Sequence, residues 1–94
     1  MISEELRIGM GSAFTIRLRS NPTTGYSWVL DHDHYHLELV SESYERLSMS
    51  IGGGGVTLFK FIALKRGVTT ITTHYQRPWE DEAIEVRRFS VEVY

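Results

Sequence analysis

Several groups of residues in this chain have the types and spacing that chemistry asks for. His32, His34 and His36 recur at every second position of Asp31-His32-Asp33-His34-Tyr35-His36. On an extended strand they would share one face, with neighbours about 6.5–7 Å apart, and three imidazoles so placed can bind zinc or copper. The run stands where a strand gives way to a polar connection, and no cysteine exists to complete a ligand set, so a solvated histidine-rich loop is the stronger reading. Ser27 and His74, with Asp31 or Asp81, supply the members of a hydrolytic triad, but no nucleophile elbow or oxyanion signature surrounds a serine. Glu80, Asp81, Glu82 and Glu85 offer paired carboxylates of the kind glycosidases use; their crowding is better explained by an acidic solvated loop. The expectation is a protein that is not an enzyme and holds no metal or cofactor.

Three other stretches are built for contact instead. Asn21-Pro22-Thr23-Thr24-Gly25-Tyr26 sets a stiff polar turn directly before an aromatic strand. Pro22 fixes its own φ and pushes Asn21 toward extended geometry, Gly25 can take the positive φ a reversal needs, and β-branching restrains Thr23 and Thr24. Gly52-Gly53-Gly54-Gly55 lacks the Gly-Lys-Ser/Thr of a phosphate-binding loop and precedes a strand. It offers a bare backbone that another surface can approach closely. In Arg77-Pro78-Trp79-Glu80, Trp79 follows a rigid proline among charged residues, so it is expected to project from a loop, with the composition of an interface hot spot. Taken singly, the three also have ordinary readings: a hairpin turn, a flexible connection and a tryptophan capping the end of the fold.

The elements that must position these loops are strands. Phe14, Ile16 and Leu18 alternate with Thr15, Arg17 and Arg19; Tyr26, Trp28 and Leu30 alternate with Ser27, Val29 and Asp31. Trp28, on this alternating segment, is assigned to the core. Leu37, Leu39 and Ser41 mark a weaker strand, and residues 44–50 read equally as loop or edge. Residues 56–64 suit a buried strand, Lys65-Arg66-Gly67 a turn, and residues 68–75 another strand with Ile71 and Tyr75 inward. In the final run, residues 83–94, the apolar parity changes at Arg87-Arg88, which predicts a bulge or a break there. No window carries a capped 3.6-residue apolar stripe. The fold class expected is therefore all-β, an immunoglobulin-like β-sandwich of about seven to eight short strands with little or no helix.

Composition sets the outer limits. The 94 residues are 41% apolar and 23% charged, the make-up of one globular domain, 1–94, in which a deep enclosed active site is hard to house. A formal charge of −2 gives no basic field, which disfavours nucleic acid and anionic membrane as partners. With no cysteine there is no disulfide framework or thiolate nucleophile, and the fold must stand on its core in either redox compartment. The first seven residues do not read as a secretory signal, so a cytoplasmic place is expected for the chain as given, and a secreted or periplasmic one if a leader has been removed. A monomer is favoured.

In such a sandwich the turns after the second, fourth and sixth strands cluster at one end. Here those turns are the three contact stretches, and together they strongly resemble the chagasin family of cysteine peptidase inhibitors. That family's motifs are an Asn-Pro-Thr-Thr-Gly-aromatic loop, a Gly-X-Gly-Gly loop and an Arg-Pro-Trp/Phe loop. They stand in order as Asn21 to Tyr26, Gly52-Gly53-Gly54-Gly55 with Gly53 at the variable place, and Arg77-Pro78-Trp79. The amino end before Phe14 is short compared with typical members. The resemblance covers nearly the whole chain. It implies tight, reversible inhibition of papain-like cysteine peptidases of the papain and cathepsin L type, with the three loops straddling the active-site cleft. It places Thr23 and Thr24 nearest the peptidase's catalytic Cys and His, the glycine loop alongside the cleft, and Trp79 on a wall of the primed side, with Arg77 bracing its loop or pairing with an acid. A carbohydrate-binding sandwich, with Trp79 and nearby tyrosines as stacking platforms, is the second reading; it requires a flat row of exposed aromatics on a sheet face. A metal-binding module on the histidines is the third.

Overall fold

Period-two patterning closes into two packed sheets. The computed structural model describes residues 2–47 and 54–94. Its strands are β1 (Ile2–Ile8), β2 (Ala13–Ser20), β3 (Ser27–Asp31), β4 (Leu37–Arg46), β5 (Gly55–Ala63), β6 (Gly67–Gln76) and β7 (Glu85–Val93). One sheet runs β1-β7-β6-β3, the other β2-β5-β4, an immunoglobulin-like sandwich. The helical content among the described residues is a single 3₁₀ turn, Pro22–Thr24.

The core is what the alternation selects. Ile16 and Leu18 of β2, Phe59, Phe61 and Ala63 of β5, Leu37 of β4, Trp28 of β3, Ile71 of β6, and Phe89, Val91 and Val93 of β7 are buried between the sheets. Phe59 and Phe61 are fully buried, each contributing about 2–3 kcal/mol by removal from water. Trp28, 6% exposed, lies in the core as expected, and its indole N–H donates to the Arg19 carbonyl at 3.0 Å, satisfying the one polar atom the ring buries.

Three features depart from the expectations. The amino end before Phe14, which reads as short and to which no strand is assigned from the sequence, forms β1, which pairs with β7 in parallel and packs Leu6 and Ile8 on the core. There is no bulge or break at Arg87-Arg88: β7 pairs with β6 in an unshifted register from Tyr75↔Glu85 to Gly67↔Val93. The parity change arises because Arg87 takes an inward position, beside the Phe89 ring at 5.5 Å and paired with the Glu4 carboxylate of β1, so Val86, and the exposed Ile84 just before the strand, are the apolar residues out of phase. The bulge lies in β4 instead. Its register against β5 shifts between Leu39 and Ser41, and the strand then runs on to Arg46, so the part of the ambiguous region at 44–46 is an edge strand; residues 48–50 lie outside the described residues.

Candidate functional site

β2 and β3 belong to different sheets, so the turn between them must cross the sandwich at its end. Asn21 is extended (φ −138°, ψ 93°) and caps the 3₁₀ turn, Pro22 occupies the first turn position, and Gly25 closes it at φ 84°. The turn is held by its own side chains. Asn21 Oδ1 accepts from the Thr23 amide at 3.2 Å and from the Thr23 hydroxyl at 2.6 Å; the Thr24 hydroxyl donates to the Asn21 carbonyl at 2.7 Å. The Thr24 amide also donates to the Asn21 carbonyl, and the Gly25 amide to the Pro22 carbonyl, both at 3.1 Å. Pro22, Thr23 and Thr24 are exposed, yet both hydroxyls are turned back into the loop. The tip is a narrow, internally hydrogen-bonded projection.

The loop after β6 packs against it. Trp79 is 71% exposed, the projection expected of it. Its indole lies so close to Gly25 that a Cβ there would come within 2.9 Å of the ring, so Gly25 is required both by its positive φ and by Trp79. Arg77 lies between the two loops. Its guanidinium sits 4.2 Å from the Tyr26 ring centroid and 5.8 Å from that of Trp79, its Nε donates to the Thr24 carbonyl at 3.1 Å, and it pairs with Glu80 at 3.7 Å. Both expected roles of Arg77, bracing and pairing with an acid, are taken within the chain, and the bracing extends to the neighbouring loop. Pro78 is exposed in the turn that the Glu80 amide closes on the Arg77 carbonyl.

The β4–β5 hairpin supplies the third loop. Gly52 and Gly53 lie outside the described residues. Gly54 faces the Ser20 carbonyl, where a Cβ would approach to 3.1 Å, and Gly55 is pressed against the Glu45 carbonyl and the Tyr44 hydroxyl with no room for a Cβ at all. The pairs Ser20↔Gly55 and Arg46↔Gly55 bring this hairpin to the end where the Asn21 turn emerges. A groove of about 310 Å³ runs between them, lined by Pro22, Tyr26, Tyr44 and Thr57 among others.

Behind the loops, aromatic rings reach into the core. Tyr26 stacks on Tyr75 with centroids 5.3 Å apart, Tyr75 lies 4.7 Å from Trp28, and the Tyr75 hydroxyl accepts the Asn21 amide at 2.9 Å. Sequence reading placed Tyr75 in the core and missed this second task. The available signal was its position two residues before Arg77, at the end of β6.

The other candidate chemistry is not assembled. His32, His34 and His36 lie in a turn, not along a strand: the His32 ring meets Phe61 edge-on at 5.1 Å, and His36 bonds Asp33 at 3.2 Å. Among the described residues, no group of three His, Asp or Glu side chains is placed to hold a metal ion. Val29 pairs with His74, so Ser27 and Asp31 each lie a diagonal step from it, and among the described residues no hydrogen bond joins the three side chains into a triad. The exposed aromatics Tyr35, Tyr44, Trp79 and Tyr94 are dispersed over the far turn, a strand edge, this loop and the carboxyl end, so they form no stacking row on a sheet face.

Comparison with known proteins meets this geometry. Residues 7–93 match the model of the Chagasin family peptidase inhibitor I42. Amoebiasin-2 of Entamoeba histolytica is 32% identical over 78 residues, 80% of this chain, which spans only 63% of that relative. Chagasin of Trypanosoma cruzi is 26% identical over 92% of this chain and 84% of its own. The crystal structure of the cysteine protease inhibitor EhICP2 from Entamoeba histolytica superposes with a TM-score of 0.87 at 26% identity, covering 99% of this chain and 93% of that one. PbICP-C, solved in complex with falcipain-2, has the same fold at 18% identity, with a TM-score of 0.69 over 98% of this chain and 86% of its own. The chain belongs to the chagasin family of peptidase inhibitors.

Proposed function

We propose that this protein is a tight, reversible inhibitor of papain-like cysteine peptidases that occludes the active-site cleft with the loops at 21–26, 52–55 and 77–79. The observation that carries this reading is the state of the carbonyls in the Asn21 turn. A cysteine peptidase must seat a scissile carbonyl in its oxyanion hole with the thiolate in line. The Asn21, Pro22 and Thr24 carbonyls accept hydrogen bonds from within the chain, and the backbone is coiled into a 3₁₀ turn instead of extended. The turn therefore fills a cleft while withholding a near-attack geometry, which is how an inhibitor escapes being a substrate.

Affinity follows from the same rigidity. The tip is cross-bonded before it meets a partner, so binding orders little new chain, and each side chain already fixed saves about 0.5–1.5 kcal/mol. Trp79 supplies a large exposed aromatic next to the wedge, the composition of a hot spot. The glycine hairpin offers main-chain groups for lateral contact. Together the loops suit an interface of the usual total size, about 1,600 Å². The complex of a fold relative with falcipain-2, a papain-like peptidase, and the cysteine protease inhibitor EhICP2 support the target class. Titration of papain and cathepsin L is the test: activity is expected to fall to zero near one equivalent and to return on dilution, and papain unaffected by stoichiometric protein contradicts the reading.

A further inference from the structure

We propose that Tyr75 is a positioning residue of the inhibitory wedge, acting with Arg77 to tie both feet of the Asn21 turn to the end of β6. The proposal rests on the inhibitor reading above.

The turn has a structural problem to solve. Its first foot leaves β2 in one sheet and its second enters β3 in the other. Any sliding of the sheets would open or skew the tip. The end of β6 answers this with two side chains, Tyr75 within its last two residues and Arg77 just past its end. At the first foot, the Tyr75 hydroxyl accepts the Asn21 amide at 2.9 Å. At the second, the Arg77 Nε donates to the Thr24 carbonyl at 3.1 Å. Tyr75 hydrogen-bonds the chain leaving β2 while belonging to the sheet that contains β3, so its hydroxyl spans the two sheets at the loop.

Neither side chain is free to swing. The Tyr75 ring is held between Tyr26 and Trp28, at 5.3 and 4.7 Å, and Trp28 is fastened by its own bond to the Arg19 carbonyl. Arg77 is held by the Tyr26 ring on one side and Glu80 on another. The line Trp28, Tyr75, Tyr26, Arg77 thus carries the rigidity of the core out to the tip. Tyr75 itself is not at the tip, and its contribution to inhibition comes through Asn21.

Tyr75→Phe removes one oxygen and keeps the stack. The expected result is an association rate with papain about 3- to 10-fold slower, the equivalent of one net hydrogen bond, and faster amide exchange in the free protein confined to residues 21 and 23–25. Exchange in β5 and β7 is expected to match wild type, which a general loss of stability would not allow. Arg77→Lys keeps the charge but loses the planar stack and the Nε donor, and is expected to free the Thr24 and Gly25 amides and weaken inhibition as much as Arg77→Met does. Should Tyr75→Phe leave loop exchange and association unchanged, or Arg77→Lys inhibit like wild type, the positioning role is wrong. Exchange is read on the free protein, so it judges the clamp even if wild type proves not to inhibit papain, an outcome that would strike the inhibitor reading alone.

Discussion

The two ends of this sandwich are fastened by different chemistry. At the end carrying the Asn21 turn, the ties are main-chain carbonyls, threonine hydroxyls, a phenol and a permanently charged guanidinium laid on aromatic rings. At the far end, the connection between β3 and β4 hangs on one carboxylate. Asp33 accepts the amides of Tyr35 at 2.9 Å and His36 at 2.6 Å, the His36 ring at 3.2 Å, and the Thr69 hydroxyl of β6. The Thr69 bond first, then those from His36, hold the Asp33 carboxyl down to about 2 from its ordinary 3.8. Beside it, burial first and the neighbouring His34 second push His32 below the ordinary 6.5. The lesson is a separation of duties: the carboxylate-centred fastening stands at the far end, while the shape of the loops rests chiefly on main-chain carbonyls, hydroxyls and stacked rings.

The largest expected break comes from the exposed end. Trp79→Ala is expected to weaken papain inhibition by about 2 kcal/mol, near thirtyfold, while leaving the urea midpoint close to wild type, because the ring is mostly in solvent. Inhibition constants paired with equilibrium unfolding check both halves. Gly25→Ala comes next. It forces an alanine to φ 84° and a methyl into the indole, so affinity should fall by about 1–2 kcal/mol and unfolding free energy by about 1 kcal/mol.

Asp33→Asn should reverse the pattern. Unfolding free energy is expected to drop by about 1 kcal/mol through lost charge-assisted bonds, with papain inhibition unchanged at neutral pH. The acid limb follows from the sign of the shift. A carboxyl held lower in the folded state contributes fully above its unfolded value of 3.8, and that contribution disappears as pH falls through about 2; the variant should lack that part of the acid transition.

The smallest effect is that of His32. A histidine whose folded value is depressed takes up its proton more readily when unfolded, so stability should decline as pH falls below 6.5, and His32→Gln should flatten that slope in urea titrations at stepped pH.

The same contrast explains what could be read from residues alone. Alternation at Phe14, Ile16 and Leu18 and the β-branched and aromatic run at 56–64 announced buried strands, because a period of two has one structural meaning when one face is apolar. The loop motifs were legible for a related reason: Pro22 and Gly25 restrict local φ whatever surrounds them. What escaped reading were long-range partnerships. β1 contains Glu4, whose partner Arg87 stands more than eighty positions away in the sequence. That pair also accounts for the false bulge at Arg87-Arg88. Tyr75 showed as a core residue because its ring is one, but its hydroxyl meets Asn21 only through the crossing of the two sheets. The histidine run, legible as a solvated loop, gave no hint that Asp33 and not an imidazole is its organising group.

One experiment puts the separation of the two ends to its most direct test. Papain is titrated at neutral pH with wild-type protein, Trp79→Ala and Asp33→Asn, all verified as folded. The account predicts stoichiometric inhibition by wild type and by Asp33→Asn, and inhibition weakened near thirtyfold for Trp79→Ala. Equal inhibition by all three, or loss with Asp33→Asn alone, would contradict it.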